Sequence, residues 1–234
     1  MLVRAALLAM LLLAATGLVA CGGDDGESAQ PLTLEQRLFR QSEVPGSKPD
    51  PVETRLTADT LLEFTNWPEY VPAAEIDRDK LEQAGFVSAI HETRFIPKTP
   101  GGEHTRDATH VRILVMQFDF DDGAATGADL VAENERKPCP GSCAAQIAEF
   151  DVSSVPDAHG IRRLTTAESL KATGAEGEPS DVYSIVFADG PFTYLVNSSG
   201  DPGKFTKQQL EEIAKKVHDR VEGAPASETQ ATGY

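Results

Sequence analysis

Residues 111–120 read Val-Arg-Ile-Leu-Val-Met-Gln-Phe-Asp-Phe. Alternate side chains of a strand point to opposite faces, and this stretch is apolar on both faces across its centre. A strand of that kind belongs in the middle of its sheet. Upstream, Phe86–Ile96 reads as a second strand, separated from the first by a loop punctuated by Pro97, Pro100, Gly101 and Gly102. Downstream, Ala148–Val155 and Gly160–Leu164 read as strands, and Val182–Ala188 and Phe192–Asn197 flank Asp189-Gly190, a hairpin signal.

Helical patterns are interspersed. Short helices are expected at Leu34–Phe39 and Leu56–Phe64, with a proline-rich loop between them, and at Asp77–Ala84, which Gly85 stops. Ala124–Arg136 follows the central strand. The last helix carries the clearest pattern: Thr206 and Gln209 form a capping box, and Leu210, Ile213, Ala214, Val217 and Val221 recur at helical spacing. Helices that do not alternate regularly with strands predict an α+β fold, an antiparallel sheet with helices packed on one face and an amphipathic C-terminal helix.

The 234 residues include 37 Asp and Glu against 21 Lys and Arg, a formal charge of −16. A chain this acidic lacks the basic footprint that a phosphate backbone requires, which argues against nucleic acid as a partner. Anionic lipid repels it as well.

The first twenty residues hold one charge, Arg4, followed by the apolar run Ala5–Ala20. That is a signal-peptide pattern, too short for a permanent membrane span and followed by no basic stop-transfer residues. It ends in Leu18-Val19-Ala20-Cys21, which resembles the lipobox of bacterial lipoproteins: an aliphatic residue, a tolerant position, Gly or Ala, then Cys. The resemblance implies diacylation of the Cys21 sulfur, cleavage after Ala20, and attachment to the bilayer through the acylated Cys21. More than one acyl chain holds a protein stably where a single chain would not. The mature chain would carry −17, so lipid rather than charge would keep it at the membrane.

Four segments follow: a signal peptide at 1–20, a lipidated N-terminus and Gly-rich acidic tether at 21–31, one α+β domain at 32–222, and a disordered tail at 223–234. In outline the body resembles the small extracytoplasmic domains of actinobacterial lipoproteins, some of which have a PsbP/Mog1-like layout.

Cys139 and Cys143 are separated by three residues, which is not the Cys-x-x-Cys spacing of thioredoxin-like enzymes. In an oxidising compartment a disulfide between them is the expected state, with free thiols, redox chemistry or metal binding as alternatives. The histidines, His91, His104, His110, His159 and His218, show no His-x-x-x-His spacing. Asp119, Asp121 and Asp122 do not make a calcium loop: counted from Asp119 the sixth position is Ala124, and counted from Asp121 the sixth and twelfth are Thr126 and Ala132. They read instead as acids at a helix N-terminus. Gly-x-Ser-x-Gly, Ser-x-x-Lys, Gly-x-Gly-x-x-Gly and Walker patterns do not occur.

No catalytic residue, metal site or cofactor is therefore assigned. Trp67 and Tyr70, beside Pro68 and Pro72, are the candidates for lining a binding groove. The sequence points to a membrane-anchored extracytoplasmic module at the cell membrane that binds an envelope protein or a small apolar ligand. The alternative is an envelope enzyme or metal-dependent hydrolase whose site assembles from scattered Asp, Glu and His.

Overall fold

In the computed structural model, the residues described are 31–49, 54–57, 61, 76–97, 108–137, 145–174 and 178–225. The central strand expected from the sequence is β4, Thr109–Phe118, flanked by β3 (Phe86–Ile96) and β8 (Phe192–Gly200). The other strands are β1 (Lys48–Pro49), β2 (Thr54–Leu56), β5 (Gln146–Phe150), β6 (His159–Thr165) and β7 (Ser180–Asp189). The helices are α1 (Arg78–Gln83), α2 (Asp121–Arg136), α3 (Ala167–Thr173) and α4 (Lys207–Val221), with a 3-10 turn at Glu35–Arg37. All pairings are antiparallel, in the order β1-β3-β4-β8-β7-β6-β5, and β2 shares the outer edge of β3 with β1. The antiparallel α+β sheet is thus as expected.

Its cover is not. Val111, Ile113 and Val115 of β4 enter one core with Ile213, Ala214 and Val217 of α4. Leu114, Met116 and Phe118 enter a second core with Ala124, Ala128 and Val131 of α2. Helices therefore pack on both faces rather than on one. A bare second face would expose Leu114, Met116, Val186 and Leu195 together, at a cost of about 25 cal/mol per Å² of apolar surface. Small residues let α2 come close: a Cβ on Gly127 would stand 2.2 Å from Phe118 Cζ.

Caps explain the helix ends. Asp77 accepts from the Lys80 N–H at α1, and Thr206 and Gln209 complete the expected box at α4. A second box, Thr166 with Ser169, starts α3, which no sequence pattern announced because none of its residues is buried. The β7–β8 hairpin closes one residue later than Asp189-Gly190 suggests, through Gly190 at φ 51° and Pro191. Several expected boundaries shift. The central strand spans 109–118 rather than 111–120, which leaves Phe120 as the cap of α2, and α2 starts at Asp121 rather than Ala124. Thr54–Leu56, which overlaps the expected helix at 56–64, is a strand, and the strand expected at 148–155 ends at Phe150.

The N-terminal segment is fastened by three arginines. Arg37, with no solvent exposure, donates to Tyr194 Oη at 2.7 Å and to the carbonyls of Ala224 (2.6 Å) and Pro225 (3.1 Å), and its guanidinium stacks 3.7 Å from the Phe192 ring centroid. Arg94 bonds Glu92 at 2.7 Å and the Phe39 carbonyl at 2.9 Å. Arg220 bonds Glu43 at 2.6 Å and the carbonyls of Gln36 and Leu38. Gly223–Pro225, assigned to the disordered tail from sequence, consequently belong to the body: Ala224 is buried and the Leu32 N–H donates to Pro225 O at 3.0 Å.

Burial pushes the Tyr194 phenol up from 10.0 to about 12, against the opposing effect of Arg37. The fold thus favours the protonated phenol. That contribution is complete below pH 10 and is lost as the pH rises toward 12. The denaturation midpoint should fall across this interval, and Tyr194→Phe should flatten the fall. A midpoint of the wild type that does not move between pH 10 and 12 would contradict the buried phenol.

Candidate binding groove

The N-terminal half of α4 faces the loop at Glu43–Pro45. Between them, capped by Phe205 and by Ile96 at the end of β3, lies a cavity of about 140 Å³. Its apolar walls come from Val44, Pro45, Ile96, Phe205 and Ile213, of which Val44, Phe205 and Ile213 are buried. Ile213 is there because the α4 stripe points at the sheet, and Phe205 because it directly precedes the Thr206 cap.

The polar rim has distinct parts. Glu43 is buried and fully engaged, held by Arg220 and accepting the Arg40 N–H at 2.7 Å. The Gln209 carbonyl oxygen serves the capping box, accepting the Thr206 N–H at 2.9 Å, which leaves its amide hydrogens to the groove. Glu212 and Lys216, one helical turn apart and exposed, form no ion pair among the described residues. The groove therefore offers a carboxylate, an ammonium and an amide around an apolar floor. Pockets that enclose a whole small molecule run to about 300 Å³ or more. A space of 140 Å³ suits one inserted side chain.

None of the residues proposed from the sequence for binding, lipidation or a disulfide builds this site, although Gln209 and Ile213, read there as a cap and a core residue, line it. Cys21, Cys139, Cys143, Trp67 and Tyr70 lie outside the described residues, as does His104. The remaining histidines are dispersed. His91 is buried on β3, His110 is on β4, His159 contacts Asp129 at 3.0 Å, and His218 meets the Phe187 ring edge-on. Among the described residues no three His, Cys, Asp or Glu side chains gather where a metal ion could sit. Asp121 and Asp122 occupy the first turn of α2, the helix-terminal role expected for them. The groove itself was hidden, because Val44 and Ile213 look like ordinary core residues and only their distance in sequence separates the two walls.

No family model matches the chain, and no curated protein matches it. Among solved structures, the extracellular domain of PknH from Mycobacterium tuberculosis is similar over 81% of this chain and 98% of its own, at 16% identity and a TM-score of 0.46. A putative uncharacterized protein from Mycobacterium smegmatis is similar over 76% of this chain and 90% of its own, at 10% identity and a TM-score of 0.37. No residue role is carried over from either. Among the described residues no helix is long and apolar enough to cross a membrane.

Proposed function

We propose that this chain is a lipid-anchored extracytoplasmic module that works by binding a protein partner in the cell envelope. The observation that carries the reading is Leu18-Val19-Ala20-Cys21, placed after Arg4 and an apolar run and before a Gly-rich acidic stretch. An acylated Cys21 would attach the body through residues 22–31, which reach at most about 35 Å when extended. That tether would meet a fixed point, since Leu32 and Arg37 are bonded to Ala224 and Pro225.

The position of the groove supports a binding role. It lies along Gln209–Lys216 of α4, whereas the tether would join beyond the C-terminal end of the same helix. From Gln209 to Val221 is about 18 Å at 1.5 Å per residue. The groove would therefore sit on the side of the body away from its attachment. Its lining of Glu, Val, Pro, Ile, Phe, Gln and Lys offers recognition and no nucleophile paired with a base, which favours binding over catalysis. Export would also place Cys139 and Cys143 where a disulfide persists.

The Cys21→Ala variant tests the reading. Wild type should sediment with membranes and its intact mass should show cleavage after Ala20, acyl chains and the loss of two hydrogens for one disulfide. The variant should leave the membrane fraction. A wild-type mass without acyl groups, or a variant still held by membranes, would overturn the anchor.

A further inference from the structure

We propose that Phe120 is the apolar knob of a docking surface for a protein that presents an apolar socket rimmed by lysine or arginine. Phe120 is the N-cap of α2, the 16-residue helix that covers one face of the sheet, and makes no side-chain capping bond. Ser, Thr, Asp and Asn are strongly preferred at that position because their side chains accept an orphan backbone N–H. Acids that could do so stand at 119 and 121, yet the cap is a phenylalanine that remains 51% exposed. The chain thus breaks a local rule and a burial rule at one residue, and about half of the ring stays open to solvent although its inner face is seated, the pattern expected at a functional position.

The ring is held in place. A Cβ on Gly85 would come within 3.1 Å of it, and so would one on Gly123, so the two glycines form its seat. Asp119 N–H donates to Gly85 O at 2.9 Å and fixes the backbone beside it. The other exposed large apolar residue among the described residues, Val87, lies at the same end of the sheet, where a β-bulge between Phe86 and Ser88 leaves it out of register and turns it outward. A fixed aromatic costs little conformational entropy on binding and makes an effective anchor.

Charge selects the partner. Asp119, Asp121 and Asp122 are all exposed around the ring, and none forms an ion pair among the described residues. A lipid surface with anionic headgroups would be repelled by this rim, whereas a basic protein rim would be steered toward it. Nothing in the surface requires Cys21 to be acylated.

The test uses the soluble chain from residue 22 with Phe120→Ser, which leaves the charge unchanged and supplies a favourable cap. The probes are synthetic peptides with Leu- and Ile-rich centres flanked by Lys or Arg, and vesicles of phosphatidylglycerol and phosphatidylethanolamine. Wild type should bind the basic apolar peptides, Phe120→Ser should weaken them at least about tenfold, and its denaturation midpoint should equal or exceed that of wild type. Asp121→Asn with Asp122→Asn should flatten the salt dependence. Equal peptide binding by wild type and Phe120→Ser would overturn the proposal. So would absence of peptide binding, preference for the vesicles, or a lowered midpoint, which would make the ring part of the core.

Discussion

Arg37→Leu should lower the unfolding free energy by about 3–4 kcal/mol, seen as a reduced urea midpoint at unchanged slope. The guanidinium has no solvent exposure and donates to Tyr194 Oη, Ala224 O and Pro225 O while lying over the Phe192 ring. Hydrogen bonds from a charged donor contribute about 1.5–3 kcal/mol each, and a desolvated cation over an aromatic ring about 2 kcal/mol. Against that sum stands the cost of burying the charge, which leucine removes. Leucine has no donor to offer, so the Ala224 carbonyl and the tyrosine hydroxyl stay buried with fewer partners. Arg37→Lys should recover only part of the loss, because an ammonium cannot place a fork on the phenol and the carbonyls together. Hydrogen exchange should localise the damage: the Leu32 amide, bonded to Pro225 O, should lose protection before β4 does. A loss below about 1 kcal/mol would show that the arginine merely occupies the space.

Gly123→Ala should destabilise by about 2–3 kcal/mol, although alanine is ordinarily worth about 1 kcal/mol more than glycine in a helix. A Cβ at residue 123 would lie 2.1 Å from the Ala84 carbonyl oxygen, a backbone atom fixed by α1. The N-terminus of α2 must then withdraw from α1, and the separation spreads into Ala124, whose carbonyl accepts the Thr193 hydroxyl at 2.6 Å. Gly127→Ala makes a useful comparison. Its added Cβ would meet the Phe118 ring at 2.2 Å, and a ring can shift where a carbonyl cannot, so the loss should be smaller. Thermal or chemical denaturation of both variants checks the order, and a stabilised Gly123→Ala would mean that α1 and α2 are not in rigid contact.

Much of the fold was legible because its signals are local. The doubly apolar residues 111–120 and the box at Thr206 needed no partner to be read, and both elements are present, the strand two residues earlier than its apolar run suggests. The same central strand also held the sign that helices cover both faces, since Leu114 and Met116 demand burial as much as Ile113 does. What could not be read was pairing over long range. Arg37 meets Ala224 across 187 positions and Arg220 meets Glu43 across 177, and an arginine bound for the interior looks in sequence like any other surface charge. The groove fails to show for the same reason: its walls are far apart along the chain. Phe120 stayed hidden too: in sequence it reads as the last apolar residue of the strand at 111–120, and only its place before α2 in the fold makes it an exposed cap.

The junction of Leu32 with Pro225 has a mechanical meaning. Tension arriving at residue 31 does not fall on a loose strand end that could peel residue by residue. It divides between one backbone bond to Pro225 and the Arg37 guanidinium, which leads into Tyr194 in the first half of β8. Those bonds must part together before the sheet feels the load. The groove along the first turns of α4 lies off that path and should keep its shape under such a load.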